Sequence, residues 1–301
     1  MANCSSCPSG SNCAHSASTG GDGVCDDPFA VQDGIIAETL KHIKHKIFVM
    51  SGKGGVGKSS VTVNAAAALA SKGYKVGILD VDMHGPSVPN LLRLDASVEL
   101  DEKTGKMLPA RRDENLSVIS MDSLLQDRDQ AILWRGPKKS SAIRQFLADV
   151  DWGELDYLFI DSPPGTGDEH MTVLKSIPDA KCVVVTTPQE ISLADVRKAI
   201  NFLQYADASI LGLVENMSGL VCPNCGEEIS IFKKGGGINL AKKYGLDFLG
   251  AIPLDPAAAV AADRGEPIVN LPESVASKVA FLELADKIAS ACDNDLANLA
   301  D

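Results

Sequence analysis

The sequence predicts an α/β fold built on a doubly wound, mostly parallel sheet. Three observations carry that expectation. From Lys46 onward, short aliphatic runs ending in Gly, Asp or Pro alternate with Ala-rich or amphipathic stretches, the alternation of strands and crossover helices. Most of those runs are apolar at successive positions, as strands covered on both faces are. One of them leads directly into a glycine-rich loop and an Ala-rich helical stretch.

Taken in order, residues 1–34 are rich in Ser, Gly, Asp and Cys with almost no apolar periodicity. They are expected to form a cysteine-containing extension that cannot bury a core without help, such as a bound metal. A strand is expected at 46–51, a helix at 59–71 and a strand at 75–80. The polar stretch 94–115, with Gly105 and Pro109, reads as an exposed excursion. Strands follow at 116–121, 155–161, 181–186, 210–215 and 248–252, and helices at 140–147, 193–205, 239–243, 256–263 and 274–291. The expected organisation is therefore an extension over 1–34, one nucleotide-binding domain over 35–292 and an acidic tail over 293–301. No repeat at solenoid periods is evident.

Composition limits the function classes. The chain has 301 residues, 45% hydrophobic and 23% charged, with only 5% aromatic. That is ordinary globular composition with a core of Ala, Val, Ile and Leu. The net charge of −12 and pI near 4.9 offer no field to attract a polyanion, so a nucleic-acid partner is not expected. The longest aliphatic runs, 65–70 and 257–262, fall far short of the roughly 18 residues a membrane span needs. The amphipathic stretch 274–291 leads to Asp293, Asp295 and Asp301. A membrane-surface helix calls for a basic end, so this one is expected to pack on the sheet. Residues 1–10 show no basic run leading to an apolar stretch, and the expected compartment is cytoplasmic. Eight cysteines are then better read as thiols or metal ligands than as a disulfide framework.

The decisive stretch is Gly52-Lys53-Gly54-Gly55-Val56-Gly57-Lys58-Ser59, which fits G-x-x-x-x-G-K-[ST] with a strand before it and a helix, starting near Ser59 and Ser60, after it. Glycines let backbone N–H groups turn inward around phosphate oxygens, and the helix N-terminus adds partial positive charge. Lys58 neutralises the terminal phosphates, and Ser59 offers a hydroxyl to Mg²⁺, which takes few protein ligands. Two acidic strand ends lie where ligands of open α/β sheets bind. Asp161 suits the magnesium shell. Asp82, just past the strand carrying Asp80, is placed to orient an attacking water and can also serve the Mg²⁺ ligand set.

Lys53 is not explained by a generic phosphate loop. It resembles the signature lysine of the deviant Walker A ATPases, the class of MinD, the plasmid-partition ATPases and the nitrogenase iron protein. Further stretches resemble one family in particular, the Mrp/ApbC type of P-loop iron-sulfur carrier ATPases. They are Asp80-Val81-Asp82-Met83-His84-Gly85-Pro86-Ser87, Trp134-Arg135-Gly136-Pro137, Asp161 to Asp168 (DSPPGTGD), Glu215-Asn216-Met217-Ser218 and Cys222-Pro223-Asn224-Cys225-Gly226. The resemblance extends over most of 46–252. It implies a P-loop NTPase fold of the MinD-like type and a homodimer in which Lys53 reaches the partner's phosphates. It implies that Asp82 is the hydrolytic aspartate, that Ser59 and Asp161 are the magnesium pair, that 163–168 form a γ-phosphate switch and that Asn216 reads the adenine edge.

Cys222 and Cys225 supply two soft ligands, half of what a tetrahedral zinc or an iron-sulfur cluster needs. A two-fold dimer would supply the other half. Zinc and a redox dithiol also fit the spacing; the resemblance implies a bridging, labile 4Fe-4S cluster. Cys4, Cys7 and Cys13 resemble the extension of the eukaryotic cytosolic scaffold members, which place a fourth cysteine upstream of the C-x-x-C. Here only three residues precede Cys4, and Cys25 or His15 would have to replace that ligand. Cys182 reads as a buried small hydrophobe, and His42, His45, His84 and His170 as surface or supporting residues. The expected function is an ATP-hydrolysing carrier that assembles a 4Fe-4S cluster and delivers it to apo-proteins, working with the cluster assembly machinery. Rival readings are a nitrogenase-type reductase, a spatial-organising ATPase and a zinc-stapled regulatory ATPase.

Overall fold

A computed structural model describes residues 28–83, 85–95, 97–124, 134, 136–222 and 224–300. Helix α1 (Pro28–Lys41) leads into β1 (Ile43–Ser51), α2 (Lys58–Ser71) and β2 (Val76–Asp80). A short α3 (Val88–Leu92) precedes three two-residue strands, β3 (Glu99–Leu100), β4 (Met107–Leu108) and β5 (Ala110–Arg111). Then come β6 (Leu116–Ser120), α4 (Gly136–Asp149), β7 (Leu155–Asp161), α5 (Asp168–Ser176), β8 (Lys181–Thr186) and α6 (Glu190–Tyr205). The chain continues through β9 (Ser209–Val221), β10 (Glu228–Ile229), α7 (Gly236–Tyr244), β11 (Phe248–Leu254), α8 (Pro256–Asp263) and α9 (Ala276–Ala300).

Among the described residues the main sheet runs β10-β9-β8-β1-β7-β2-β6-β5, with β11 also paired to β9. Its pairs are parallel except for β10 with β9 and β5 with β6. Each face carries its own apolar layer. One contains Ile36, Phe146, Val173, Ile200 and Leu240, from α1, α4, α5, α6 and α7. The other contains Leu69, Leu92, Phe281 and Leu284, from α2, α3 and α9. Burial on both faces explains the uninterrupted apolar runs of the central strands. The alanines of α2 allow close approach on nearly every side, and that helix is buried from Val61 to Ala70.

Three sequence expectations are corrected. The boundary expected at residue 34 falls inside α1, where Ile36 and Leu40 are buried in the first layer; the apolar spacing begins earlier than the Ser/Gly-rich composition suggested. The excursion over 94–115 is not wholly exposed. Asp101 accepts from the backbone N–H groups of Lys103 and Thr104 to close the β3–β4 turn, and Met107 is buried. The expected tail over 293–301 continues α9 to Ala300. That helix packs through Phe281, Leu284, Ala285 and Ile288. Helices α1, α3 and α5 were not expected; α3 and α5 are only five and nine residues long, too short for periodicity to stand out.

Candidate functional site: a phosphate loop joined to a cysteine hairpin

The loop 52–57 connects β1 to α2 at the carboxyl end of the parallel strands, where open α/β sheets bind ligands. Gly55 and Gly57 both have φ of +78°, the left-handed region in which a side chain is strained. A Cβ on Gly52 would lie 2.3 Å from the Asp195 backbone, and one on Gly57 2.3 Å from Asn216 Nδ2. The loop is thus a cradle that side chains would fill.

Asp161 anchors the floor. It is wholly buried at the end of β7. Lys58 Nζ and Ser59 Oγ both donate to its Oδ2, at 2.7 and 2.6 Å, and Thr62 Oγ1 donates to its Oδ1 at 2.6 Å. Thr62 was not anticipated, although it stands four residues from Lys58 and three from Ser59 and so shares their helix face. A carboxylate and a hydroxyl 2.6 Å apart form a hard-oxygen pair fitting Mg²⁺, which keeps water in its other positions. The Lys58 ammonium holds the same carboxylate oxygen here.

Asp80 lies beside Asp161 in register across β2 and β7. Burial, and next the charge of Asp161, push its carboxyl up to about 8. Its oxygens accept from the backbone N–H groups of Asp82 and Val88. They thereby hold the start of the 82–87 loop. Asp82 is itself buried, with Oδ1 accepting from Gly85 N at 3.2 Å. Lys53 is half-buried, and its carbonyl accepts from Ser51 Oγ at 2.9 Å. Ser60, half-buried on α2, offers its carbonyl to Asn64 Nδ2.

The segment 163–168 is held from behind by His170. Its Nε2 lies 3.1 Å from the Pro163 carbonyl, and Nδ1 has no partner among the described residues. With only one acceptor at hand, Nε2–H donates and Nδ1 stays unprotonated. Burial pushes this imidazole down to about 4. Gly165 N also bonds to the Ser51 carbonyl, so this segment lies against the strand that enters the loop. His170 was anticipated only as a supporting residue, and that is its place here.

Asn216, on β9, is buried and donates through Nδ2 to the Val56 carbonyl at 2.9 Å. It therefore touches the loop's own backbone. Six residues along the same chain segment lies Cys222, in a turn closed by Gly226 N to the Cys222 carbonyl and Cys222 N to the Glu227 carbonyl. Cys222 is half-buried and Cys225 exposed. The backbone N–H groups of Cys225 and Asn224, followed by the neighbouring thiol, hold the Cys222 thiol below its usual range, which favours the thiolate that binds metal. Cys182 is buried in β8, and burial pushes its thiol up to about 12, the inert state expected of it. Cys4, Cys7, Cys13, Cys25 and His15 lie outside the described residues, as do His84 and Arg135.

The model of the NUBPL iron-transfer P-loop NTPases, within the ParA group, matches residues 42–289. The chain belongs to that family. It is 48% identical over 269 residues to the iron-sulfur cluster carrier protein of Methanocaldococcus jannaschii, covering 89% of each chain. It is 45% identical over 262 residues to the cytosolic Fe-S cluster assembly factor CFD1 of Kluyveromyces lactis, covering 83% of this chain and 92% of that one. A nucleotide-binding protein from Archaeoglobus fulgidus, solved with ADP, superposes with a TM-score of 0.70 at 41% identity over 80% of this chain and 94% of its own. The MinD cell-division ATPase of Pyrococcus furiosus, at 24% identity and a TM-score of 0.60 over 82% of this chain and 99% of its own, shares the fold. The phosphate loop, the Asp161 anchor and the cysteine turn all lie within the matched span.

Proposed function

We propose that the chain is an ATP-hydrolysing carrier that holds a labile 4Fe-4S cluster between two copies of itself and delivers it to apo-proteins in the cytoplasm. The observation that carries this reading is the continuity of the two sites. Asn216, in contact with the phosphate loop, and Cys222, half of a two-thiol turn, belong to one strand and its immediate extension. Relatives named as cluster carriers and assembly factors support it.

In this reading the loop amides and Lys58 bind the ATP phosphates. Lys58 must leave Asp161 to do so, and Asp161 and Ser59 then hold Mg²⁺. When bound, Mg²⁺ neutralises charge on the terminal phosphates. Asp82 orients the attacking water, Asn216 turns toward the adenine, and Lys53 reaches the partner's phosphates as a trans-acting cation. No group of three or more potential metal ligands is gathered among the described residues. Four thiolates are reached when a second copy brings its own Cys222 and Cys225, and the cluster is then cargo at the two-fold axis. A change in dimer geometry on hydrolysis would loosen that grip without redox chemistry. Cys4, Cys7, Cys13 and Cys25 are proposed as a second, N-terminal cluster site.

Anaerobic reconstitution of the full chain tests the bridging site. About four irons per two chains, with matching sulfide, are expected above whatever the N-terminal cysteines retain. Cys222→Ala should lose that share, and Cys4→Ala should keep it. Iron binding by Cys222→Ala equal to that of the unaltered chain would sink the reading.

A further inference from the structure

The strand β9 does more than connect the two sites: it carries a clamp that no nucleotide or thiol contact explains. Adjacent strand residues point to opposite faces. Asn216 faces the loop, while Glu215, 1% exposed, faces α7. Three donors converge on its carboxylate: Ser218 Oγ at 2.6 Å and Gly235 N at 3.1 Å on Oε1, and Gly237 N at 2.5 Å on Oε2. Ser218 opens the segment that leads to Cys222; Gly235 and Gly237 receive the chain as it returns from Cys225. The carboxylate therefore closes the base of the cysteine hairpin from both limbs, and it forms no ion pair with a described Lys or Arg.

The backbone on either side of Ser218 is left-handed. Met217 has φ of +57° and Gly219 of +78°. Pairing with β11 skips here, advancing four residues on β9, from Asn216 to Leu220, for two on β11. Such a bulge re-aims the strand. A left-handed methionine needs surroundings that hold it, and the residues before and after it are both tied down, Asn216 to the Val56 carbonyl and Ser218 to Glu215.

We infer that Glu215 is a positioning residue that fixes the cysteine hairpin to β9, the strand that touches the phosphate loop through Asn216, so that the nucleotide state at the loop changes the exposure and spacing of Cys222 and Cys225. This rests on the proposed function for its purpose, but not for its test, which needs no cluster. Glu215→Gln keeps the volume of the side chain. Its amide presents one acceptor and one NH₂ to three converging donors, so one donor faces another.

The experiment is the rate of iodoacetamide labelling at Cys222 and Cys225 in the metal-free full chain, with and without Mg²⁺ and a non-hydrolysable ATP analogue, read by mass spectrometry. In the unaltered chain nucleotide should change that rate by about fivefold or more, in the range of ordinary coupling between sites. In Glu215→Gln the change should shrink below about twofold, with nucleotide affinity altered less than about threefold. Ser218→Ala, which removes one donor and leaves the carboxylate, should give an intermediate response and guards against a folding defect in the first variant. An unaltered chain that ignores nucleotide, or a Glu215→Gln chain that responds like the unaltered one, overturns the inference. So does a variant that loses nucleotide binding, since Glu215 would then serve the loop. Cluster binding with no labelling response would leave the carrier reading standing and remove only this one.

Discussion

At the scale of single residues, the site is governed by burial of groups that prefer water. Asp161 is tolerable as a buried anion because three donors meet it, one of them the Lys58 ammonium; without them its desolvation would cost several kcal/mol. His170 solves the same problem by staying neutral. Its folded value, about 4, lies below the ordinary 6.5, so the unfolded chain binds more protons between those values, and stability rises with pH across that window. Unfolding free energy of the unaltered chain should therefore fall, as pH drops from 6.5 to 4, by up to about 1.4 kcal/mol per unit more steeply than that of His170→Phe. Chemical denaturation at a series of pH values measures it. Parallel curves for the two proteins would mean that the imidazole is not desolvated as described. Of these residues, the loop glycines, Lys58, Ser59 and Asp161 were legible because motif spacing encodes phosphate and metal chemistry. Thr62 was not, because its partner Asp161 is remote in sequence; His170 and Glu215 were not, because their partners, Pro163 and the residues 218, 235 and 237, are brought to them by loop conformation that no motif spacing encodes.

At the scale of elements, strands were easier to read than short helices. The central strands β7 and β8 have the bounds their apolar runs suggested, 155–161 and 181–186. Strand β9 extends to Val221, well past the expected end at 215, because the polar residues Glu215, Asn216 and Ser218 spend their side chains on the loop and on the hairpin base. Helix α1 shows the opposite failure: its composition resembles a linker, yet it seals the edge of the first layer. Ile36, 2% exposed, and its neighbour Ile35, 46% exposed, separate the two possibilities. Ile36→Ala should lower the unfolding free energy by about 2–5 kcal/mol through lost burial and a cavity. Ile35→Ala should change it by less than about 0.5 kcal/mol. Equal effects in urea titrations would mean that α1 is not part of the folded core.

For the whole molecule, the layered sheet brings the phosphate cradle and the cysteine turn onto one framework, and the proposed dimer is what would complete both. Lys53 tests that at a distance from the thiols. If its ammonium enters a dry interface beside a partner's phosphates, Lys53→Ala forfeits about 2–5 kcal/mol, the range for truncating a buried charged contact. Sedimentation velocity with Mg²⁺ and a non-hydrolysable ATP analogue should then show the dimer dissociation constant raised about thirtyfold or more. Unchanged association would remove Lys53 from the interface.

The sequence by itself determined the α/β class, the phosphate loop with the residues Lys58, Ser59 and Asp161, and the cysteine pair, because each depends on local periodicity or on short fixed spacings. Only the tertiary structure decided that Thr62 and Lys58 share Asp161, that Asp80 sits against Asp161, and that Glu215 and Asn216 face opposite ways between the cradle and the hairpin. Those relations join residues up to 160 positions apart. They exist only once the strand order and register bring β1, β2, β7 and β9 into one sheet, an arrangement set by long-range packing that no window of sequence contains.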